Sequence, residues 1–378
     1  MPSLHFFRWT SQLQDSGHEV YWFDITGMST PVERIHWVKQ KTAWKLRWDF
    51  PGRIFIKSRF SKIYRWIQSK NERDTVKIFD YYLNEIKPDV VHSFAMQISC
   101  LPILNVMQNN SEIKWIYSSW GSDMFYSNQI RIDETEMKTA LKRIDYLITD
   151  CFRDYKIAIE KGYINQYLGV FPGNGGVDFN EELIMPYELR NTILVKAYND
   201  AIGKGINVIK AFTLDLLPLL ADYDIVVFGA DEEVKNYINN NEVFNQLKYK
   251  VFLKNNFIDN QDLLKIMGES LIYIGNSISD GLPNALIEAM GMGAFPIQSN
   301  PGNVSEELIK NKFNGLLIMN PLDPDEICNH IKEILLNKEV LKNAFSYNTT
   351  FIKQKYDREL NKRLISKLYE NVFEKNIE

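Results

Sequence analysis

The chain has 378 residues, 45% of them hydrophobic and 24% charged, with a formal net charge of −4. That length suits two domains, each large enough to bury its own core, and the acidic balance gives no reason to expect nucleic acid. Cys100, Cys151 and Cys328 are too widely spaced for a disulfide framework or a zinc site, no apolar run approaches the roughly 18 residues that span a bilayer, and no signal peptide is read. The expected setting is cytoplasmic, with peripheral attachment at the inner membrane face as its extension.

Taken in order, His5-Phe6-Phe7-Arg8-Trp9-Thr10-Ser11-Gln12-Leu13 reads as a helix, Gly17 stops it, and Glu19-Val20-Tyr21-Trp22-Phe23 reads as a strand. Arg34 to Lys70 has the most unusual composition in the chain. Eleven Lys or Arg face one acid, Asp49, so the segment carries +10 in a chain of net −4. Trp37, Trp44, Trp48, Phe50, Phe55, Phe60, Tyr64 and Trp66 are interleaved with those cations. Cations mixed with tryptophans are what docking on an anionic membrane needs, each cation there being worth about 1 kcal/mol. Two readings compete: core aromatics beneath a solvated basic face, and RNA binding, against which the acidic remainder counts.

Val76 to Ile86 reads as a helix ended by Lys87-Pro88, and Asp89-Val90-Val91-His92-Ser93-Phe94 as a strand. His92 then stands toward the carboxyl edge, where α/β sheets bind ligands, although a lone His also serves as a structural residue. Trp115-Ile116-Tyr117-Ser118-Ser119 is the next strand, followed by Trp120-Gly121-Ser122-Asp123. Asp123 can accept a hydrogen bond from a substrate hydroxyl or cap a helix starting at Met124. Arg143 to Thr149 is a further strand. Val170 to Asp178, rich in Gly, Pro and Asn, closes the first half. Strands follow at Thr192–Lys196, Asp224–Ala230 and Val251–Lys254, then a helix from Gln261.

Leu271-Ile272-Tyr273-Ile274-Gly275 reads as a buried strand, and Pro283 suits the first position of a helix that continues through Met290. Gly291 and Gly293 offer its stop, and Phe295-Pro296-Ile297 resumes strand character. A strand, a tight turn and a helix start make an anion site, because free N–H groups and the helix dipole point at one spot. Asp280 precedes that spot and Glu288 follows eight positions later. An acid, a phosphate-ready helix start and a second acid could hold a sugar, a diphosphate and a ribose in that order.

The stretch Asp280 to Glu288, with Gly281-Leu282-Pro283-Asn284 inside it, resembles the acid-x7-acid motif of family-4 retaining glycosyltransferases, which have the GT-B fold. Asp280 stands where that family usually has Glu, one methylene longer. The resemblance implies an α/β protein with two Rossmann-like domains facing across a cleft. Residues 1–172, joined by a last helix over about 355–378, would form the acceptor-side domain, and 173–354 the nucleotide-sugar domain. Gly17-His18-Glu19-Val20 resembles the family's early helix-to-strand turn, and Pro88-Asp89-Val90-Val91-His92 one of its frequent strands. Trp120-Gly121-Ser122-Asp123 is similar to its His-Gly-x-Asp segment, with Trp120 replacing the His. Lys204-Gly205 matches the end of its diphosphate loop, without the usual Arg before it. In that fold a strand precedes the first helix. The N-terminal domain is therefore expected to lack its first strand, a rearranged sheet being the alternative.

The resemblance further implies a metal-independent enzyme without a cofactor. It would move a sugar, with retention of configuration, from a nucleotide-diphosphate sugar to a polysaccharide or lipid-linked saccharide. Asp280 would orient the sugar and, with Asp123, carry the catalysis; Glu288 would bind the ribose. The turn Gly281-Leu282-Pro283-Asn284-Ala285 and Lys204, with Lys196 as second cation, would absorb the charge of the leaving diphosphate. His92 and Trp120 would stand on the acceptor side. The anionic membrane, through Arg34–Lys70, is the remaining expected partner. Two rivals remain: a catalytically silent sugar-nucleotide binder, and a sugar-nucleotide epimerase of the same fold.

Overall fold

The structure, a computed structural model, describes residues 3–120, 123–256 and 258–374. The apolar runs become β1 (Tyr21–Phe23), β2 (Lys39–Lys41), β3 (Val90–Phe94), β4 (Lys114–Ser118), β5 (Tyr146–Thr149) and β6 (Gln166–Val170). The second half adds β7 (Thr192–Lys196), β8 (Asp224–Ala230), β9 (Lys248–Leu253), β10 (Ser270–Gly275), β11 (Phe295–Ser299) and β12 (Leu316–Ile318). Every strand pair is parallel, so the connections between neighbours carry helices.

Internal contacts divide the chain into two units. The first comprises Met1–Thr149, Tyr155–Gly175 and Lys362–Glu378; the second comprises Asp150–Asp154 and Gly176–Asn361. The divisions expected at 172 and about 355 thus fall at 175 and 361, and a short piece of the first half goes with the second unit.

In the second unit the strand order is β12-β11-β10-β7-β8-β9. Its first strand, β7, lies in the middle; the chain winds outward through β8 and β9, then returns to β10 and winds the other way. That is the doubly wound Rossmann order. Such strands are covered on both faces and read as continuous apolar runs: all six residues of β10 and four of the five in β7 are buried. Alternation assigns the faces. Ile193 and Val195 pack with Val208, Phe212 and Phe244, whereas Leu194 packs with Tyr273, Leu286 and Met290. Arg190, just before β7, is buried and spreads its guanidinium over the carbonyls of Met185 (2.8 Å), Ser270 (2.7 Å) and Met292 (2.8 Å). Burial lowers its pKa to about 10, so the cation survives at neutral pH.

The first unit holds the four-stranded sheet β3-β4-β5-β6 and, apart from it, the pair β1-β2. The helix Leu4–Thr10, capped by Ser3, contributes Trp9, whose indole N–H donates to the Tyr369 hydroxyl at 3.1 Å. Trp9, Ile365, Leu368, Tyr369 and Val372 form one core cluster, so the last stretch of chain completes this unit. His92, on β3, engages Tyr369 through Nδ1 (2.6 Å) and Ser118 through Nε2 (2.8 Å). Burial pushes its pKa down to about 3. Among the described residues no helix is long and apolar enough to cross a membrane.

Two measurements test these supports. Arg190→Ala leaves three buried carbonyls without their donor and should lower stability by about 3 kcal/mol in calorimetry. Arg190→Lys should recover less than half of that, because one ammonium cannot reproduce the fork; wild-type stability in either variant would contradict the role. For His92 the unfolded chain takes up a proton near pH 6.5 and the folded chain only near 3. Its neutral burial therefore costs nothing above about pH 6.5 and destabilises progressively as pH falls toward 3. Between pH 7.5 and 5 the parent should lose about 2 kcal/mol more than His92→Gln in urea unfolding; parallel profiles would refute it.

Candidate active site

β7 and β10 are adjacent and parallel, but their chains leave in opposite directions past their carboxyl ends. At such a switch point no crossover covers the strand ends, and the loops there are free to bind a ligand. The two loops are zipped to each other. Lys204 N–H donates to Asn276 O at 3.0 Å and Ile278 N–H to Ile202 O at 3.0 Å. Gly205 lets the first of these loops fold back on itself, since a Cβ there would collide with the backbone of Ala197. The Lys204 ammonium turns back onto the carbonyls of Asp200 (2.9 Å) and Ala201 (3.0 Å). Lys196 and Lys254 lie 5.4 and 5.3 Å from the ring centre of Tyr198. Three lysines thus converge on one loop, and Lys254 is one the sequence reading missed.

Past β10 the chain turns through Ser279–Leu282 into the helix Asn284–Gly291. Pro283 is the N-cap, with φ −67° and ψ 121°, rather than the first helical residue. Its side chain can accept nothing, so the N-cap residue itself leaves the first N–H groups of the helix without a side-chain acceptor. Met292 is the C-cap, and Gly293 beyond it takes the left-handed φ of +90°. Glu288, four residues after Asn284, shares its face and is 6% exposed. Asp280 is half-buried before the turn. Burial raises its carboxyl pKa, with the Lys196 charge, the Gly281 N–H and Arg153 pulling the other way. Tyr273 is fully buried, and desolvation together with the charges of Asp280 and Glu288 drives its hydroxyl pKa well up.

Polar atoms here lack protein partners. The Tyr273 hydroxyl, Gln298 Oε1 and Asn276 Oδ1 are buried without a hydrogen bond. The first two meet over Gly275, where a Cβ would lie 2.8 Å from the Tyr273 oxygen and would collide with Gln298 Oε1. Buried polar groups are nearly always satisfied, so exceptions gathered at strand ends fit a polar ligand.

Arg153 and Asp150 form a support that the sequence reading missed. Arg153 donates to the carbonyls of Asp280 (2.8 Å) and Pro301 (2.9 Å) and pairs with Asp154 (2.8 Å). It therefore ties together the loops that follow β10 and β11. Gly281 packs on Asp150 so closely that a Cβ would collide with its carboxylate. Glu307 accepts from the amides of Phe152 (2.8 Å) and Arg153 (3.0 Å). Asp150, Cys151 and Asp154 could reach one cation, but Arg153 already pairs with Asp154, and burial holds the Cys151 thiol protonated.

In the first unit Trp120 stacks on Phe94, ring centres 4.5 Å apart. Asp123 is buried and accepts from the amide of Met96 (2.7 Å) and the hydroxyl of Tyr117. It does not cap a helix at Met124, because that stretch is turn and the next helix begins at Glu134; its amide partner Met96 instead opens the helical segment Met96–Cys100. Gly121 and Ser122 lie outside the described residues. His92 spends both ring nitrogens inside the unit. The structure thus gathers Lys196, Lys204, Asp280, the Gly281–Ala285 turn and Glu288 around the carboxyl ends of β7 and β10. His92, Trp120 and Asp123 form a second group, around β3 and β4.

Residues 193–351 match the family model of glycosyl transferases group 1, and residues 1–151 that of glycosyl transferase 4-like proteins. A comparison with curated protein sequences found no match. Among solved structures, sucrose-phosphate synthase from Thermosynechococcus elongatus is similar over 96% of this chain and 91% of its own, with 15% identity and a TM-score of 0.65. The Anabaena protein HepE, solved with UDP, is similar over 79% and 82%, with 14% identity and a TM-score of 0.60. The pneumococcal O-GlcNAc transferase GtfA, solved with UDP and GlcNAc, aligns over 78% of this chain and 60% of its own, with 15% identity and a TM-score of 0.59. Identities this low speak for the fold alone, while the two family models together span most of the sequence. With two Rossmann-like domains, the chain belongs to the family-4-type glycosyltransferases of the GT-B fold.

Proposed function

We propose that this glycosyltransferase takes its sugar from a nucleoside-diphosphate donor and transfers it to a saccharide acceptor with retention of configuration. The observation that carries the reading is the helix start at Pro283, an N-cap whose own side chain offers no acceptor, flanked by Asp280 and Glu288 at the strand switch point. N–H groups of the Gly281–Ala285 turn hold the diphosphate with Lys196 and Lys204, and Glu288 takes the ribose hydroxyls. Asp280 orients the sugar. As the glycosidic C–O bond to the diphosphate breaks, negative charge builds on the leaving oxygens, and the lysines and the helix start stabilise it without a metal or cofactor. The leaving phosphate accepts the acceptor's proton on the same face. The acceptor, a polysaccharide or lipid-linked saccharide, is assigned to the carboxyl ends of β3 and β4, where Trp120 offers a ring face and Asp123 fixes the turn.

The basic segment supports a cytoplasmic enzyme bound at a membrane surface. Trp44 and Tyr64 are core residues, as the competing reading requires, but Ile54 (77% exposed), Phe55, Phe60, Ile63 and Trp66 (68%) are not. They lie on the helices Arg53–Arg59 and Ser61–Asn71 or, for Phe60, on the residue that joins them, among Arg53, Lys57, Arg59, Lys62, Arg65 and Lys70. Apolar tips among cations suit an anionic bilayer better than water.

HepE and GtfA were solved with UDP, so UDP-sugars are the first donors to try in thermal-shift titration, followed by GDP- and ADP-sugars. Glu288→Ala should weaken donor binding about 10- to 100-fold. Asp280→Asn should cut turnover about 100-fold with donor affinity nearly unchanged. Protection by a donor without transfer or slow hydrolysis would identify a silent binder. A new nucleotide sugar formed without acceptor would identify an epimerase. In flotation at low salt, the protein should rise with phosphatidylglycerol vesicles and not with phosphatidylcholine, and Trp66→Asp with Ile54→Asp should abolish it. Equal flotation of parent and double variant would remove the membrane assignment.

A further inference from the structure

The helices Arg53–Arg59 and Ser61–Asn71 turn cations toward a recess and apolar side chains toward solvent. In the second helix Tyr64 and Asn71 are buried, and Asn71 Oδ1 accepts from the amides of Arg47 (3.1 Å) and Trp48 (2.9 Å). Beside this anchor Ser61, Arg65 and Gln68, spaced to share one face, line a cavity of about 410 Å³. Ile63 and Trp66 take the opposite face and are 54% and 68% exposed. A surface helix ordinarily does the reverse, apolar in and charged out. Arg53 and Lys57, four apart on the first helix, line the same cavity, as does Lys45, beyond β2. Four cations thus share one concavity with a single acid, Glu72.

Two of the four are already engaged. Arg53 Nε donates to Asp49 Oδ1 at 3.1 Å, and Lys45 Nζ donates to Thr75 Oγ1 at 2.8 Å and lies 4.0 Å from Glu72. Among the described residues Lys57 and Arg65 have no acid within ion-pair distance, and Lys57 rests 6.0 Å from the ring centre of Tyr64. The side chains of Ser61 and Gln68 likewise spend no hydrogen bond on the described residues. Ser61 is also the first residue of its helix, and the N-cap, Phe60, has no acceptor in its side chain. The positive end of the helix therefore adds to the charge of the cavity. Like charges gathered in a recess repel, and an anion seated between them relieves that repulsion.

We propose that this cavity binds a phosphate group, either a terminal phosphomonoester or a diphosphate. The Arg65 guanidinium offers a planar fork to two phosphate oxygens, Lys57 a point charge, and Ser61 and Gln68 neutral donors. Two cations without acids match the double negative charge of such a group, whereas a carboxylate would leave one of them unpaired. The volume falls among those of ligand pockets, roughly 300–1,000 Å³. The donor site belongs to the second unit and this pocket to the first. The proposal deepens the membrane assignment, which rests on the opposite face of the same helices. It gives the basic segment one ligand chemistry, carried by a lipid head group or by a soluble phosphate.

The test uses the full chain and needs no sugar nucleotide. Hydrogen exchange over residues 53–72 is followed by mass spectrometry with inorganic pyrophosphate, with phosphatidic acid in phosphatidylcholine vesicles, and with chloride at matched ionic strength. The pocket predicts that pyrophosphate or phosphatidic acid slows exchange there about tenfold at roughly ten times its Kd, and that chloride does not. Protection by pyrophosphate supports a soluble phosphate, and protection by the vesicles alone supports a lipid head group. Lys57→Ala with Arg65→Ala should abolish the protection and leave Tm nearly unchanged, both side chains being exposed. Lys57→Arg with Arg65→Lys should retain most of it. Ile54→Ser with Trp66→Ser, which removes the apolar face without adding charge, should lose flotation but keep the response to pyrophosphate, so that either assignment can fail alone. No protection with either probe, protection that survives the double alanine variant, or equal protection by chloride would overturn the proposal. Protection by an oligouridylate but by neither probe would also overturn it, marking a nucleic-acid groove.

Discussion

The site depends on one constraint of chain direction: two adjacent parallel strands whose continuations part company. Because β7 leads toward β8 and β10 toward β11, neither connection can roof the strand ends between them. Whatever lies there must be held by short loops, and short loops need either glycine or a buried ion. Both are present. Gly205 permits a backbone approach to Ala197 and Gly281 a close fit against the Asp150 carboxylate, both of which a methyl group would block, and Arg153 clamps two carbonyls from successive loops. The loops are fixed before any ligand arrives, which is what preorganised charge stabilisation requires. The cost is visible in Tyr273 and Gln298, whose buried polar atoms the protein itself leaves unpaired.

What the sequence disclosed was whatever a short window contains. The buried run Leu271–Gly275, the two acids eight apart and the paired glycines after Met290 are local signals, and the structure has a strand, a helix and a helix stop there. Pro283 was misplaced by one position because a proline serves equally as cap or first residue until the neighbouring backbone angles are known. Arg153 was invisible for a stronger reason. Its partner Asp280 lies 127 positions away, and locally it sits in an ordinary acid-flanked helix start. Lys254 lies just past β9, which was read as Val251–Lys254 and spans Lys248–Leu253, and its contact, Tyr198, belongs to another loop. Of the alternatives left open at Asp123, the helix cap at Met124 fell away only when the stretch after it was seen to be turn, with Met96 and Tyr117 on its carboxylate.

The aromatic-basic segment shows the same limit from another side. Its composition announced something unusual but could not sort the rings. Trp44 is buried because its indole reaches the carbonyl of Asp24 and its ring stacks on Phe23. Trp48, four residues on, is half exposed. Neighbours in sequence thus belong to different environments, one to the core and one to the surface. Only the tertiary packing of β1 decides which.

The hydrogen bond between Trp9 and Tyr369 spans 360 positions, and the cluster it belongs to needs residues from both ends of the chain. Closing so long a loop is slow, and its entropy must be spent before the contact repays it. The second unit, by contrast, is almost one continuous stretch. During synthesis the aromatic surface of the first unit therefore stays without part of its cover until the last helix is made. The core of the first unit cannot be complete before residues 365–372 have been made.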